Sequence, residues 1–351
     1  MNSSETAHRI GGMADCEIGA RVYRGETVEA THFAAIAVVD RSGRVTHALG
    51  NPEFITMARS SIKPFQLVPL VATGAADEYG FANPNLSIMA GSHSGTDEHV
   101  KWIVANLTMA GNDPSMLRCG AHWPIGMQNE NRYPSNGEDR DPVRHNCSGK
   151  HTGFLALARY LKVPPADYLR PDSESQRLVK KAVAEICEFP EDQMTVETDG
   201  CSAPNFSLPL SKLALGFKKL ANLDGVEGRT LKALARIREA MSEFPVLYSG
   251  EGRFDFNLMR TFPYNVICKG GAEALQAIGL SDPPVGIAVK VLDGNARALG
   301  PICLEVLKQL GVVKSGSIPS YLQQYDRPEV KNAAGLVTGH IVPEFKLRTV
   351  G

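Results

Sequence analysis

Apolar residues in the first fifty positions either alternate with polar ones or run together over a few residues. Three such segments cover residues 20–30, 32–40 and 44–50, and a turn at 40–43 separates the second from the third. Short apolar runs of this kind, bounded by Gly, Asp and Ser, are typical of strands joined by tight turns. The pattern therefore predicts that the chain begins with strands.

From Ser60 the apolar spacing becomes helical. Ile62, Phe65, Val68 and Leu70 are apolar, and Pro64 comes early enough to be tolerated in a first helical turn. The same period predicts helices at 96–111, about 148–161, 173–187, 208–221, 228–242 and 296–310. Strands are predicted at 86–91, 194–198, 265–268 and 285–293, followed by an extended stretch around 327–348.

Strands near both termini with helices between them favour one fold class. The prediction is an α/β protein of the α+β type, in which N- and C-terminal strands form one antiparallel sheet that helices flank. No internal repeat, low-complexity tract or linker interrupts the sequence, so a single domain over residues 1–351 is expected. No Gly-rich dinucleotide fingerprint or P-loop is visible, and we expect no nucleotide cofactor.

Charge and cysteine content limit the partners and the compartment. The formal net charge is -1, which gives no positive field for nucleic acid or an anionic membrane, so a small, weakly charged substrate fits better. The N-terminal segment has no signal-peptide run, and the apolar run at 34–39 is far too short to span a bilayer. The seven cysteines are odd in number and scattered, which indicates a reducing, cytoplasmic location rather than a disulfide framework.

Ser60 and Lys63 are the first candidates for chemistry. Residues three apart on a helix share one face, and a neutral, desolvated Lys can take the proton of a Ser hydroxyl and make it nucleophilic. A chain of this composition is expected to contain about one Ser-x-x-Lys by chance, and this chain contains one. A helix-capping Ser with a surface Lys is therefore the alternative interpretation.

Two further segments agree with this chemistry. Gly-Ser-His-Ser-Gly at 91–95 follows the strand predicted at 86–91 and contains Ser92, and Cys-Lys-Gly-Gly-Ala-Glu at 268–273 follows another and contains Lys269. Glycines around small polar residues allow close backbone approach to a ligand. A Lys before small residues is similar to the Lys-Thr-Gly element of penicillin-recognising serine enzymes. Each segment alone is also explained as a turn, but their order in the chain favours one shared mechanism.

Two segments carry a cysteine beside other candidate ligands. Asn-Cys-Ser-Gly-Lys-His at 146–151 is predicted to open a helix, and Asp-Gly-Cys-Ser-Ala-Pro-Asn at 199–205 follows a predicted strand. Two thiolates could bind zinc, but the Cys-x-x-Cys spacing of structural sites is absent, so buried packing cysteines are the alternative. His93, His99 and His145 could also be ligands. A Cys–His protease is a further alternative, although nothing marks one Cys as activated.

Four motifs together resemble the signatures of the rhizobial-type (class 3) L-asparaginases. They are Ser-Ser-Ile-Lys-Pro-Phe-Gln, Gly-Ser-His-Ser-Gly, Asn-Cys-Ser-Gly-Lys-His and Asp-Gly-Cys-Ser-Ala-Pro-Asn, in matching order. The resemblance extends from about residue 17 to 340. It implies a fold similar to serine β-lactamases and glutaminases, hydrolysis of L-asparagine to L-aspartate and ammonia, and a homodimer.

The resemblance also implies a metal site. Zinc is expected at Cys147, Lys150 and Cys201, with a water as the fourth ligand. A lysine ligand must be deprotonated, which the metal itself can enforce. The implied role of the zinc is to organise the pocket and the substrate.

The same resemblance implies two Ser–Lys pairs, Ser60 with Lys63 and Ser92 with Lys269. Ser60 is expected to attack the side-chain amide carbon of asparagine with Lys63 as general base, which leaves a β-aspartyl ester that water hydrolyses. Ser92 and Lys269 are expected to relay protons, since neighbouring cations depress the pKa of a lysine. The backbone N–H of Ser60 is expected to form part of an oxyanion hole.

Three residues are expected to contact the substrate. Asp199 suits the α-ammonium group, and Arg59 or His151 is expected to line the pocket. A glutaminase or a penicillin-recognising serine esterase is the nearest alternative, because both use the same Ser–Lys chemistry on another acyl group. A zinc-binding regulatory module with an incidental Ser-x-x-Lys is an alternative from a different class.

Overall fold

The computed structural model describes residues 10–129 and 140–351. Residues 1–9 belong to the N-terminal segment for which the sequence predicts no signal peptide, and they lie outside the described residues. Contacts between Cα atoms divide the chain into two compact units. Unit 1 is Met1–Ser61, Ser207–Asn222 and Asn257–Gly351, and unit 2 is Ile62–Phe206 and Leu223–Phe256. The single domain expected over residues 1–351 stays a prediction.

Twelve strands occur in the described parts of the chain. They are β1 (Glu17–Arg24), β2 (Thr27–Val39), β3 (Val45–Leu49), β4 (Ile55–Met57), β5 (Val196–Thr198), β6 (Pro204–Pro209), β7 (Val266–Gly271), β8 (Leu275–Leu280), β9 (Val285–Val291), β10 (Glu329–Lys331), β11 (Val337–Pro343) and β12 (Arg348–Thr349).

Thirteen α-helices occur in the same ranges, and none is long and apolar enough to span a membrane. They are α1 (Lys63–Gln66), α2 (Val68–Ala72), α3 (Ala75–Glu78), α4 (Asn83–Ala90), α5 (Asp97–Met109), α6 (Ile125–Asn129), α7 (Ser148–Tyr160), α8 (Glu174–Cys187), α9 (Leu210–Asn222), α10 (Gly228–Glu243), α11 (Pro245–Tyr248), α12 (Phe254–Thr261) and α13 (Ala296–Gln309).

Unit 1 contains one large antiparallel sheet. Its strands follow the order β10-β11-β1-β2-β9-β8-β7, while β3 pairs with β2 and β12 pairs with β3. The N-terminal strands β1 and β2 pair directly with the C-terminal strands β11 and β9. The predicted antiparallel sheet of N- and C-terminal strands is therefore confirmed.

Helices cover this sheet because its central strands are apolar on both sides. Residues 34–39 of β2 and the whole of β8 are buried, a pattern that requires a covering layer on each face. Helix α9 packs on β9, β8 and β2, and α13 packs on β11, β9 and β1. Glycines allow the closest approach: a Cβ added to Gly286 would lie 2.0 Å from the Ala214 carbonyl oxygen of α9.

Unit 2 is mainly helical, and one prediction for it is wrong. The segment 86–91, predicted as a strand, belongs to helix α4, which contacts α5, α7, α10 and α11. Its residues 85–90 are all buried, and a helix that is apolar all round has no period to distinguish it from a buried strand. The helical start is nevertheless marked, because Pro84 lies in the first turn and the Asn85 side chain accepts from the Ala82 N–H.

Most other predicted elements occur within a few residues of their expected limits, but two do not. The strand predicted at 20–30 is divided by the turn between β1 and β2, and the helix predicted from Ser60 is divided into a 3-10 turn, α1 and α2. Helices α5, α7, α8, α9, α10 and α13 and strands β5, β7 and β9 match their predicted segments. Strands β6 and β8 and helix α12 were not expected from the sequence. All six residues of β8 are buried, including the polar Gln276, so the strand lacks the alternation that identifies a half-exposed strand.

We predict that Gly286→Ala destabilises unit 1, because its methyl group would overlap the backbone of α9. Overpacking of this kind costs roughly 3 kcal/mol, measurable as a fall in the free energy of unfolding in urea. Gly316→Ala is the matched control, since a Cβ there has no atom within 4 Å. Equal stability of the two variants would contradict the close packing of α9 on β9.

Candidate active site

Lys63 is the first residue of α1, and its side chain is completely buried. Its Nζ lies 2.8 Å from the carbonyl oxygen of Gly91, 2.9 Å from Oγ of Ser92 and 3.2 Å from the carbonyl oxygen of Asn146. An ammonium group has three protons to donate, so these contacts use all of them. The structure thus brings Lys63 and Ser92, two sequence-predicted site residues, into direct contact within unit 2.

Burial is the main influence on the charge of Lys63. Desolvation lowers the pKa of Lys63 below its ordinary value, and the positive charge of Lys150 lowers it further. The thiols of Cys147 and Cys201 act in the opposite direction and raise it, without reversing the net effect. A lysine with a lowered pKa is more easily available in the neutral form that a general base requires.

The segment 91–95 is held in place by backbone contacts. It follows helix α4 and not a strand as predicted, and a Cβ on Gly91 would lie 2.0 Å from the carbonyl oxygen of Tyr248. The N–H of Ser92 donates to that same oxygen at 3.0 Å, and the guanidinium of Arg253 donates to the carbonyl oxygen of Ser92. Only a glycine permits this approach of two backbone segments, and the close approach of a ligand to 91–95 stays a prediction.

Cys147, Lys150 and Cys201 form a buried cluster in unit 2. Cys147 precedes α7, which places Lys150 in its first turn, and Cys201 follows β5 in a tight turn. Lys150 Nζ donates to Cys201 Sγ at 3.0 Å, and Cys201 Sγ lies 3.4 Å from Oδ2 of Asp199. The turn requires Ser202 to adopt a left-handed backbone with φ of 67°.

The cluster separates charge among its members. A hydrogen bond from Cys201 holds the pKa of the Cys147 thiol well below its ordinary value, and the same bond raises the pKa of Cys201. Burial acts to lower the pKa of Lys150, but the nearby Cys201 and Cys147 raise it overall. These shifts favour a thiolate at Cys147 and an ammonium group at Lys150 when the cluster holds no metal.

His151 lies next to this cluster in a defined orientation. The hydroxyl of Tyr168 accepts from the N–H of Arg118 and lies 2.7 Å from Nδ1 of His151. The ring also has a side-chain hydrogen bond with Cys201. Burial lowers the pKa of His151 to about 4, so the ring is neutral.

The donor set of the cluster fits the zinc site that the resemblance implies. Two buried thiols and an amine are soft and borderline ligands of the kind that zinc prefers, and the buried imidazole of His151 lies beside Cys201. Within 10–129 and 140–351, no group of three or more His, Cys, Asp or Glu side chains could hold a metal ion. That result is compatible with a set of only two thiols whose third member is Lys150.

The histidines considered as ligands have other partners. Nε2 of His93 lies 3.0 Å from Oγ of Ser148, and Nε2 of His99 lies 3.0 Å from the carbonyl oxygen of Val246. Nδ1 of His145 accepts from the N–H of Cys147 at 3.0 Å. These contacts assign the three rings to holding the backbone and side chains around the cluster.

Unit 1 contains the remaining predicted site residues, Arg59, Ser60 and Lys269. Arg59 has a left-handed backbone with φ of 51° at the start of the short 3-10 turn Arg59–Ile62. Such conformations are costly for a side chain that has a Cβ and concentrate at functional sites. A Cβ on Gly271, at the end of β7, would lie 3.3 Å from Cβ of Arg59, so the strand that carries Lys269 passes close to this turn.

Lys269 is almost fully buried in β7, and its Nζ lies 2.7 Å from the carbonyl oxygen of Gly270. The guanidinium of Arg59 lies 3.8 Å from the carboxylate of Glu273, which follows β7. Both predicted Ser–Lys pairs, Ser60 with Lys63 and Ser92 with Lys269, combine residues of the two units, and both pairs stay predictions.

Sequence reasoning missed several residues that shape the site. Asn146 contributes its carbonyl oxygen to Lys63 although its side chain carries no catalytic signal. Tyr168 contacts His151 from a loop without any motif, and Arg253 holds the backbone of Ser92 from a distant part of the chain. Only Asn146 lies within a recognised motif, so the sequence offers no signal for the other two.

Comparison with solved structures finds distant likenesses, each 13% identical in sequence. The match to the crystal structure of Mglu covers 82% of this chain and 69% of that one, with a TM-score of 0.46. The match to a β-lactamase from Mycobacterium bovis covers 80% of this chain and 95% of that one, with a TM-score of 0.43. The match to an octameric penicillin-binding protein homologue from Pyrococcus abyssi covers 91% of this chain and 84% of that one, with a TM-score of 0.41. No curated protein sequence matches the chain.

Comparison with family models gives a match over most of the chain. The model described as L-asparaginase II matches residues 20–343, close to the extent that the motifs suggest. Every motif residue discussed above falls inside this range. The chain therefore belongs to the L-asparaginase II family, a family of amidohydrolases that act on L-asparagine.

Proposed function

We propose that this L-asparaginase hydrolyses asparagine through Ser60 as nucleophile and Lys63 as general base. The observation that carries the proposal is the buried Nζ of Lys63, 2.9 Å from Oγ of Ser92, on a lysine whose pKa is lowered. A buried, readily neutral lysine three residues after a serine is the arrangement that activates a hydroxyl.

The reaction proceeds in two stages through an ester. Oγ of Ser60 forms a bond to the amide carbon while its proton passes by way of the Ser92 hydroxyl to Lys63, and the resulting oxyanion is stabilised by the backbone N–H of Ser60. The carbon–nitrogen bond breaks, and the departing nitrogen takes a proton that Lys63 and Ser92 deliver, so ammonia leaves. Water then attacks the β-aspartyl ester and gives a proton to Lys63, the bond from the acyl carbon to Oγ of Ser60 breaks, and the proton returns to Oγ as aspartate leaves.

Four further residues support this scheme. Lys269 assists Ser92 in moving protons, Arg59 receives the substrate carboxylate, and Asp199 receives the α-ammonium group. His151 lines the pocket as a neutral ring, in agreement with its pKa of about 4. A positive and a negative side chain at opposite ends of the substrate are what an α-amino acid requires for recognition.

We further propose that Cys147, Lys150 and Cys201 hold zinc. Bound there, zinc supplies a fixed positive charge that orders the pocket and keeps Lys150 deprotonated. The 3.0 Å approach of Lys150 Nζ to Cys201 Sγ supports a shared ligand set. We also propose a cytoplasmic location, in agreement with seven cysteines that form no disulfide within the described residues, and the homodimer that the resemblance implies.

Ser60→Ala is predicted to lower ammonia release from asparagine by a factor of at least about 10³, because no other hydroxyl takes the place of a lost nucleophile. The neighbouring Ser61→Ala is the matched control, since the Ser61 hydroxyl is engaged with the Ala58 carbonyl oxygen at 2.6 Å. It is expected to retain most activity. Near-normal turnover by a folded Ser60→Ala variant would refute the scheme.

The same assay separates the alternatives. Glutamine and nitrocefin are offered in place of asparagine, and ammonia release and lactam opening are measured. Preferential hydrolysis of asparagine is expected. Faster hydrolysis of glutamine would indicate a glutaminase, and lactam opening would indicate a penicillin-recognising esterase.

Lys63→Met is predicted to lower kcat by about 10²–10⁴, the usual contribution of a general base. It is also predicted to destabilise the fold, because the carbonyl oxygens of Gly91 and Asn146 lose their buried donor. Lys218→Met is the control, since Lys218 is a buried lysine of α9 in unit 1. If Lys63→Met turned over asparagine as fast as this control does, Lys63 would not be the base.

Zinc content is predicted to be near one ion per chain in the purified protein and to fall below about one tenth in Cys201→Ser and Lys150→Met. Cys187→Ser, at a fully buried cysteine of α8, is the control that keeps the metal. Zinc at 100 times its Kd should stabilise the wild type by about 2.7 kcal/mol in thermal unfolding. Equal zinc content in all four proteins would rule out this ligand set.

A further inference from the structure

His93 occupies the centre of the segment 91–95 with a completely buried imidazole. Its Nε2 lies 3.0 Å from Oγ of Ser148 and accepts from the N–H of Gly149 at 3.4 Å. His93 directly follows Ser92, whose hydroxyl contacts Lys63. Its side chain therefore connects the Ser92 backbone to the first residues of helix α7.

One ring nitrogen of His93 makes all of its hydrogen-bond contacts. The Ser148 hydroxyl lies 3.0 Å from Nε2 and donates to the carbonyl oxygen of Val143 at 2.7 Å. The N–H of Gly149 points to the same Nε2, so the ring contacts two successive residues at the start of α7. Nδ1 has no partner among the described residues. Burial, reinforced by the adjacent His99, holds the pKa of His93 well below its ordinary value.

A second ring prevents His93 from rotating. His99 stacks on it with 5.2 Å between ring centroids and 20° between planes. His99 is itself fixed through both nitrogens, by Thr96 Oγ1 at 2.5 Å and by the Val246 carbonyl oxygen at 3.0 Å. The bond from His93 to Ser148 is thus made by an imidazole that is already oriented.

The start of α7 is also fixed against α4. A Cβ on Gly149 would lie 2.2 Å from the carbonyl oxygen of Ile88, so the two helix ends meet at backbone distance. Ser148 and Gly149 lie between Cys147 and Lys150 in the chain. A small shift of this turn moves both cluster residues, and the rigid His93–Ser148 bond transmits the same shift to Ser92.

We infer that His93 is a positioning residue that sets the location of the Ser92 hydroxyl through its bond to Ser148 at the start of α7. The inference deepens the proposed function and rests on it, because it assumes that Ser92 moves protons during turnover. Displacing a catalytic hydroxyl by about 1 Å costs up to about 100-fold in rate. The effect falls on kcat rather than KM, since His93 and Ser148 make no contact with substrate groups in this scheme.

The test compares steady-state kinetics of four variants on asparagine. His93→Leu removes the ring nitrogen at similar volume, and His93→Gln keeps an amide group that can hydrogen-bond to Ser148. Ser148→Ala removes the hydroxyl and leaves the imidazole intact. The double variant His93→Leu with Ser148→Ala completes a cycle that isolates the bond between the two side chains.

We expect His93→Leu and Ser148→Ala each to lower kcat by about 10- to 100-fold with KM changed less than about threefold. The double variant should be no slower than the slower single variant, and His93→Gln should recover most of the lost kcat. His32→Leu is the control for losing a buried histidine: His32 bonds to Asp293 and Arg297 in unit 1, so this variant should lose stability and keep kcat.

The outcomes separate the inference from the proposed function. Wild type that releases no ammonia from asparagine would overturn both. Active wild type with unchanged kcat in Ser148→Ala, or with purely additive losses in the double variant, would overturn the inference alone. If His93→Leu does not fold, the kcat values of Ser148→Ala and His93→Gln still test the inference, because each variant retains a buried side chain of similar shape.

Discussion

The buried nitrogen of Lys63 is the contact on which the organisation of unit 2 depends. It joins α1 to the Gly91 carbonyl and the Ser92 hydroxyl after α4 and to the Asn146 carbonyl before α7, across 28, 29 and 83 residues of sequence. Each acceptor is buried or partly buried, and an acceptor left without its donor costs about 1–3 kcal/mol. The positions of Ser92 and of the Cys147 turn therefore follow from where Lys63 lies.

Sequence analysis predicted the segments in which apolar residues recur with a helical or strand period and the residues that lie in a motif. The antiparallel sheet followed from short apolar runs near both termini, and the long amphipathic helices α8, α9 and α10 followed from their spacing. Helix α4 was assigned wrongly because all its residues from 85 to 90 are buried. Uniform burial removes the contrast between faces on which pattern reading relies.

The site residues also fall into those that a sequence motif identifies and those that no motif identifies. Local motifs identified Lys63, Ser92, Lys150 and Cys201 as chemistry-bearing residues, and the structure groups them in unit 2 as Lys63 with Ser92 and Lys150 with Cys201. The contacts that orient them come from distant backbone and from rings without a motif. Tyr168 is an example, since its effect on His151 depends on a hydroxyl 2.7 Å from Nδ1 and not on any local spacing.

The hydrogen bonds of Lys63 explain how one residue can serve both the fold and proton transfer. The ammonium form donates to two carbonyl oxygens and to Ser92, while burial favours the neutral form and lowers the pKa. A neutral amine has two protons and one lone pair. Carbonyl oxygens can only accept, so the two protons stay with Gly91 and Asn146 and the lone pair faces Ser92, the one partner able to donate. Loss of a proton from Lys63 therefore reverses the hydrogen bond to Ser92 without moving a heavy atom.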